Sequence, residues 1–161
     1  MQKILLALLF VLFPVIAQAW PGVVLSVQDG DTLTVAPSGD ADCPVGIRLY
    51  GVDAPEKKQD GGAASTAYLV DLLPGGSSVE VVPLDADKYG RVVALVMHEG
   101  RAINAQMLRA GHAWVYAKYC RAVMCKMWYA LQKEAAAAKR GLWQEGTPVA
   151  PWIWRRATSV N

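Results

Sequence analysis

Five short runs of aliphatic and β-branched residues, at 23–28, 32–36, 45–51, 78–84 and 91–97, are interrupted once, after the third, by a segment of helical period. Turn signals bound each run. Asp29-Gly30 predicts a hairpin between the first two, and Pro37, Gly39 and Pro44 mark the loop before the third. Residues 85–90 make a tight connection between the last two, and residues 52–62, rich in Pro, Asp, Lys and Gly, read as an exposed loop. The helical segment at 63–73 spaces Ala64, Tyr68, Leu69 and Leu72 along one face and stops at Pro74-Gly75-Gly76. After a turn at Glu99-Gly100, further helices are predicted at 103–110 and at 125–140, the second Ala-rich and closed by Gly141.

The order β-β-β-α-β-β-α-α predicts a mainly β fold with α: a five-stranded Greek-key barrel of the OB type with three helices. Closure removes the long unpaired edges that such strands would otherwise expose. A general α+β sandwich fits the same string. Trp114, Trp128 and Trp143 are expected in the core. Residues 146–161 hold Pro148, Pro151, Trp152, Trp154 and Arg155-Arg156, and are expected to pack their Trp rings on the domain without forming an element.

The N-terminus has its own logic. Lys3 is followed by an apolar run at 4–17 and by Ala17-Gln18-Ala19, the layout of a signal peptide cleaved after Ala19. The run is shorter than the roughly 20 residues of a spanning helix, so a secreted or periplasmic protein is expected rather than an anchored one. The remaining 142 residues suit one domain at 20–145 plus the tail at 146–161. Loss of Lys3 takes the formal charge from +2 to +1, so any nucleic-acid affinity must come from locally placed Arg and Lys. Cys120 and Cys125 can close a small disulfide loop across CRAVMC, although pairing of either with Cys43 is also open. The absence of a CxxC, and of any ligand pattern from His98 and His112, argues against a zinc site.

Three segments carry the chemistry: DGDT at 29–32, IRLYGVDAPE at 47–56 and DKYGR at 87–91. Asp31, Asp53 and Glu56 are oxygen donors of the kind that hold a hard cation and position water. Arg48 and Arg91 are guanidinium groups that meet two phosphate oxygens at once. Arg48 stands inside an apolar run, where a charge needs a partner or a cleft. Arg48 and Asp53 are five apart and would face opposite sides of a regular strand, so a bend at Gly51 is needed to turn both to one site. Pro55 stiffens the chain that presents Glu56. Taken singly, DGDT reads equally as a turn, VDAPE as a solvated loop and DKYGR as a hairpin connection.

Together with LRAGHAWVY and the late KRGLW, these segments resemble the thermonuclease, or staphylococcal-nuclease-like, family over residues 22–145. The resemblance implies the five-stranded OB-type barrel with three helices. It also implies one Ca²⁺ ion and hydrolysis of DNA and RNA, preferably single-stranded, leaving 3′-phosphates. Matched by position, Asp31, Asp53 and the backbone carbonyl of Ala54 would ligate calcium, and Arg48 and Arg91 would hold the scissile phosphate. Glu56 would act as general base or as holder of the attacking water, and Lys88 and Tyr89 would contact substrate. The loop after Glu56, KKQDGGAAS, is shorter than in the family's best-known member. A second aromatic of the family's nucleotide pocket falls near Ala117, with Tyr116 and Tyr119 beside it. The expected function is an exported calcium-dependent endonuclease; the alternatives are a non-catalytic OB module that binds single strands and a disulfide-stapled envelope protein.

Overall fold

The computed structural model describes residues 18–38, 40, 42–144 and 146–159. Most of the expected signal peptide, residues 1–17, lies outside the described residues. No described helix is long and apolar enough to cross a membrane.

The barrel is built from β1 (Trp20–Asp29), β2 (Thr32–Pro37), β3 (Val45–Leu49), β5 (Ser78–Ala86) and β6 (Val92–His98), with a two-residue β4 (Val52–Asp53) between them. β1 pairs antiparallel with both β2 and β5, β2 with β3, and β5 with β6. A parallel pairing of β3 with β6 closes the ring, placing Arg48 opposite Val93. Irregularities in β1 between Val24 and Ser26 and between Val27 and Asp29 bend the strand so that it can serve two neighbours. The barrel interior is filled by Val24, Leu33, Val35, Ile47, Leu49, Val81 and Val96, all buried.

Helix α1 (Gly62–Leu72) closes one end, and α2 (Ile103–Arg109) and α3 (Cys125–Ala137) pack beside it through Leu69, Met107, Leu108 and Trp128. Trp114 and Trp128 are buried as expected, whereas Trp143 is half-buried against Trp114, with ring centroids 5.4 Å apart. Short strands β7 (Arg101–Ala102) and β8 (Trp114–Val115) complete the pairing, β8 with β4. Asn104 is fully buried yet satisfied: it accepts from the Val96 amide and donates to the carbonyls of Tyr50 and Ala94.

The tail departs from expectation. Pro151–Thr158 forms a fourth helix, α4, rather than an irregular strap. Pro151 stands in its first turn, where a missing amide costs nothing, and Arg155 and Arg156 lie in its last turn, where cations favour the dipole. At eight residues the helix is too short to stand alone. Docking supplies the rest: Gln59 donates to the Val149 carbonyl at 2.6 Å, and the Trp152 ring lies parallel to Tyr116.

Gly51 makes the bend that the sequence demands, at φ +67°. A Cβ there would sit 2.7 Å from Cys120 Sγ and 2.9 Å from the Trp128 ring. Cys120 and Cys125 form a buried disulfide, and Cys43 is free and exposed. The Tyr50 hydroxyl accepts from the amides of Arg121 and Ala122 and pins the disulfide loop over the bend. Gly51→Ala combines left-handed strain with overpacking, and is expected to destabilise the fold by about 2–4 kcal/mol in urea denaturation.

Candidate active site

Each of the three segments reaches the site by a different local device. The β1–β2 hairpin turns at Gly30-Asp31, and a Cβ on Gly30 would overlap the Ser65 side chain of α1, so only glycine lets the turn seat there. Thr32 faces Arg48 across β2 and β3, which brings Asp31 beside Arg48. The Gly51 bend then carries the chain into β4, where Asp53 pairs with Trp114. DKYGR caps the β5–β6 hairpin and points Arg91 back toward Thr32.

These side chains form one continuous hydrogen-bonded chain. Arg91 Nη1 donates to Thr32 Oγ1 at 3.2 Å, and Thr32 donates to Asp31 Oδ1 at 3.1 Å. Arg48 Nη2 lies 3.0 Å from both Asp31 Oδ2 and Asp53 Oδ1, while its Nη1 donates to the carbonyls of Leu49 and Val52. The Ala54 amide donates to Asp31 Oδ2 at 2.7 Å. Arg91 Nε pairs with Asp87 at 2.6 Å.

The structure adds Arg155, which the sequence places in a tail expected to pack on the domain without forming an element. Its guanidinium forks onto Asp53, with Nη2 at 2.8 Å from Oδ2 and Nη1 at 3.2 Å from Oδ1, and Nη1 also reaches Glu56 Oε1 at 2.7 Å. Asp31, Arg48, Asp53, Glu56 and Arg91 therefore meet around one cleft of about 690 Å³, with Arg155 at its far wall. Lys88 and Tyr89 stand on its outer lip, Tyr89 72% exposed with Lys88 Nζ 4.9 Å from its ring centroid. The signal that could have revealed Arg155 is arithmetic: DGDT and IRLYGVDAPE carry four acidic residues, Asp29, Asp31, Asp53 and Glu56, against the single charge of Arg48.

Burial sets the electrostatics. Asp53 is 1% exposed and Asp31 6%. Loss of solvent pushes the Asp31 carboxyl up to about 7, outweighing the Arg48 guanidinium beside it. Burial raises Asp53 as well, against the opposing pull of Arg155 and Arg48. Among the described residues the cleft is lined by six carboxylates and by four cationic side chains, a surplus of two negative charges. That surplus and an all-oxygen donor set fit one hard divalent cation. Asp31 and Asp53 would hold it, with Ala54 in the same wall. No three acidic, His or Cys side chains among the described residues converge as a complete cation cage, so backbone, water and substrate oxygens would supply the other ligands.

Two outcomes follow from this charge balance. Asp31 binds its proton more tightly folded, near 7, than at its ordinary value of 3.8. Its contribution to stability without a cation is therefore present below about pH 4 and is lost as pH rises through 7; denaturation in EDTA across that window should show the decline, and a divalent cation should reverse it. Arg155→Ala leaves a buried Asp53 charge with one partner fewer. Because Arg155 is itself partly exposed, the expected cost is about 1–2 kcal/mol in chemical denaturation, with Arg155→Lys recovering only part of it.

Comparison with known proteins identifies the family. Residues 46–145 match the family described as staphylococcal nuclease homologue. The chain is 43% identical over 157 residues to an Escherichia coli protein named "Uncharacterized endonuclease", covering 96% of this chain and 98% of that one. A Haemophilus influenzae protein of the same name is 33% identical over 164 residues, covering 99% and 89%. The "Micrococcal nuclease" of Shigella flexneri is 34% identical over 146 residues, covering 85% and 81%. With a family match over most of its length and full-length relatives well above 30% identity, the chain belongs to the staphylococcal nuclease family.

Proposed function

We propose that the protein is an exported, calcium-dependent endonuclease that cleaves single-stranded DNA and RNA and leaves 3′-phosphates. Membership of its family makes it a phosphodiester-hydrolysing nuclease acting on nucleic acid. Calcium, export, strand preference and product end are the proposed refinements. The observation that carries the reading is the chain from Arg91 through Thr32, Asp31, Arg48, Asp53 and Arg155 to Glu56, within a single cleft.

The residues divide the work by position. Asp31 and Asp53 would hold the cation, which supplies charge neutralisation and acidifies bound water. Arg48 and Arg91 approach the cleft from β3 and from the start of β6. Arg91 uses Nε on Asp87 and Nη1 on Thr32, leaving Nη2 directed at no protein partner among the described residues and able to take a phosphate oxygen. Donors fixed in this way stabilise charge as it develops on phosphorus, because they need no reorientation during the reaction. Glu56 is the most exposed of the three acids, behind the rigid Pro55, and among the described residues only Arg155 orients its carboxylate. That exposure supports giving it the role of holding or deprotonating water. The disulfide and the N-terminal sequence support an oxidising compartment outside the cytoplasm.

Hydrolysis of single-stranded DNA in calcium tests the assignment. Arg48→Ala, Arg91→Ala and Asp31→Asn are each expected to lower kcat by about 10²–10³-fold, and EDTA to abolish turnover. Undiminished cleavage in EDTA would remove the cation from the reading. Binding without cleavage in any divalent ion would favour the non-catalytic single-strand module.

A further inference from the structure

The catalytic cleft continues past Arg155 into a second groove of about 860 Å³, and the two share Tyr116 and Arg155 as lining residues. One wall of this groove is α4, through Trp152 and Arg156, with Ser159 just past its end; the other is the loop after β8, through Tyr116 and Lys118. The Trp152 and Tyr116 rings lie parallel, 3° apart in plane with centroids 5.4 Å apart, and form a two-ring column beside the cleft. Arg155 is 5.8 Å from the Tyr116 ring centroid and joins the column to the catalytic carboxylates.

The charge of this groove is opposite to that of the cleft. Lys118, Arg155 and Arg156 line it, and no carboxylate does among the described residues. The chain as a whole is close to neutral, so this is a local concentration of positive charge. Aromatic faces interleaved with cations are what an unpaired nucleic-acid strand recognises: bases stack on rings and phosphates follow the charges. A duplex offers no free base faces to such a column. The α4 wall lies beyond residue 145, outside the part of the chain that the family model matches.

We propose that the groove between α4 and the Tyr116 loop is a binding track for the nucleotides beyond the two that flank the scissile phosphate, in which bases stack on the Tyr116–Trp152 column and the backbone runs along Lys118 and Arg156. This rests on the nuclease reading of the adjoining cleft and assigns its preference for single strands to α4.

Substrate length separates the track from the catalytic centre. A dinucleotide fills the cleft alone, whereas a thymidylate dodecamer must also enter the groove. The Lys118→Ala/Arg156→Ala double variant and Trp152→Ala are expected to lower the ratio of kcat/KM for the dodecamer to that for the dinucleotide by about 5-fold or more, through KM. Trp152→Phe keeps a ring and should restore most of it. By fluorescence anisotropy in EDTA, the double variant should bind the dodecamer with a shallower salt dependence, the slope falling by about 0.7 for each lost phosphate contact. The charge pair is exposed, so its result is independent of any loss of folding in Trp152→Ala. An unchanged ratio together with unchanged dodecamer binding in the double variant would overturn the track. If the wild type cleaves neither substrate while the double variant still weakens dodecamer binding, the nuclease reading fails and the track stands.

Discussion

Asp53 is a carboxylate taken almost entirely out of water at the rim of a closed barrel, and most of the surrounding structure answers to that charge. A buried carboxylate is costly unless it is paired and hydrogen-bonded. Arg48 from β3 and Arg155 from α4 provide the pairing, from residues 5 and 102 positions away in sequence. Asp31 repeats the situation one step along, with Arg48 shared between the two acids. Both carboxyls are nevertheless raised, because the loss of solvent on burial outweighs the guanidinium groups beside them. The site is left short of positive charge, and a divalent cation fits that deficit.

The barrel is what makes such a site affordable. The parallel pairing of β3 with β6 seals the ring and holds Arg48 on β3 beside Arg91, the residue that leads into β6, at one rim. Gly51 turns the chain at that rim, and Asn104 ties the turn to β6 and α2 with three hydrogen bonds. The disulfide loop covers the bend through the Tyr50 hydroxyl. The candidate catalytic side chains therefore rest on strand ends and locked turns rather than on a free loop, which suits a mechanism that relies on preorganised charge.

The C-terminal helix changes how the site is bounded. Without α4 the cleft would open behind Asp53 and Glu56. With it, Arg155 completes the wall and a cationic, aromatic groove continues outward. One short element thus links a catalytic constellation to a surface suited to a strand of nucleic acid. It is present only because Pro151 starts it and because Gln59 and Tyr116 give it somewhere to dock.

Much of this was legible in the chain itself. Alternating short runs and turn pairs are local signals, so the five barrel strands and the helix after the third could be read without knowing their neighbours. The Arg48–Asp53 spacing demanded a bend at Gly51 because side chains alternate along a strand, and a bend is there. Asp31, Arg48, Asp53, Glu56 and Arg91 stood out because charge in or beside apolar runs needs a reason. What the chain could not disclose was partnership at long range. Trp152-Ile153-Trp154 behind Pro148 and Pro151 looks like a strap, since eight residues hold no helix unaided, and nothing local says that Arg155 will cross to Asp53. Asn104 looks like any polar residue in a short helix until three backbone groups surround it. Local pattern determined the elements and the acidic and basic residues of the site; tertiary structure alone decided which charge answers which, because the cost of burying a carboxylate is settled by whatever the fold brings beside it.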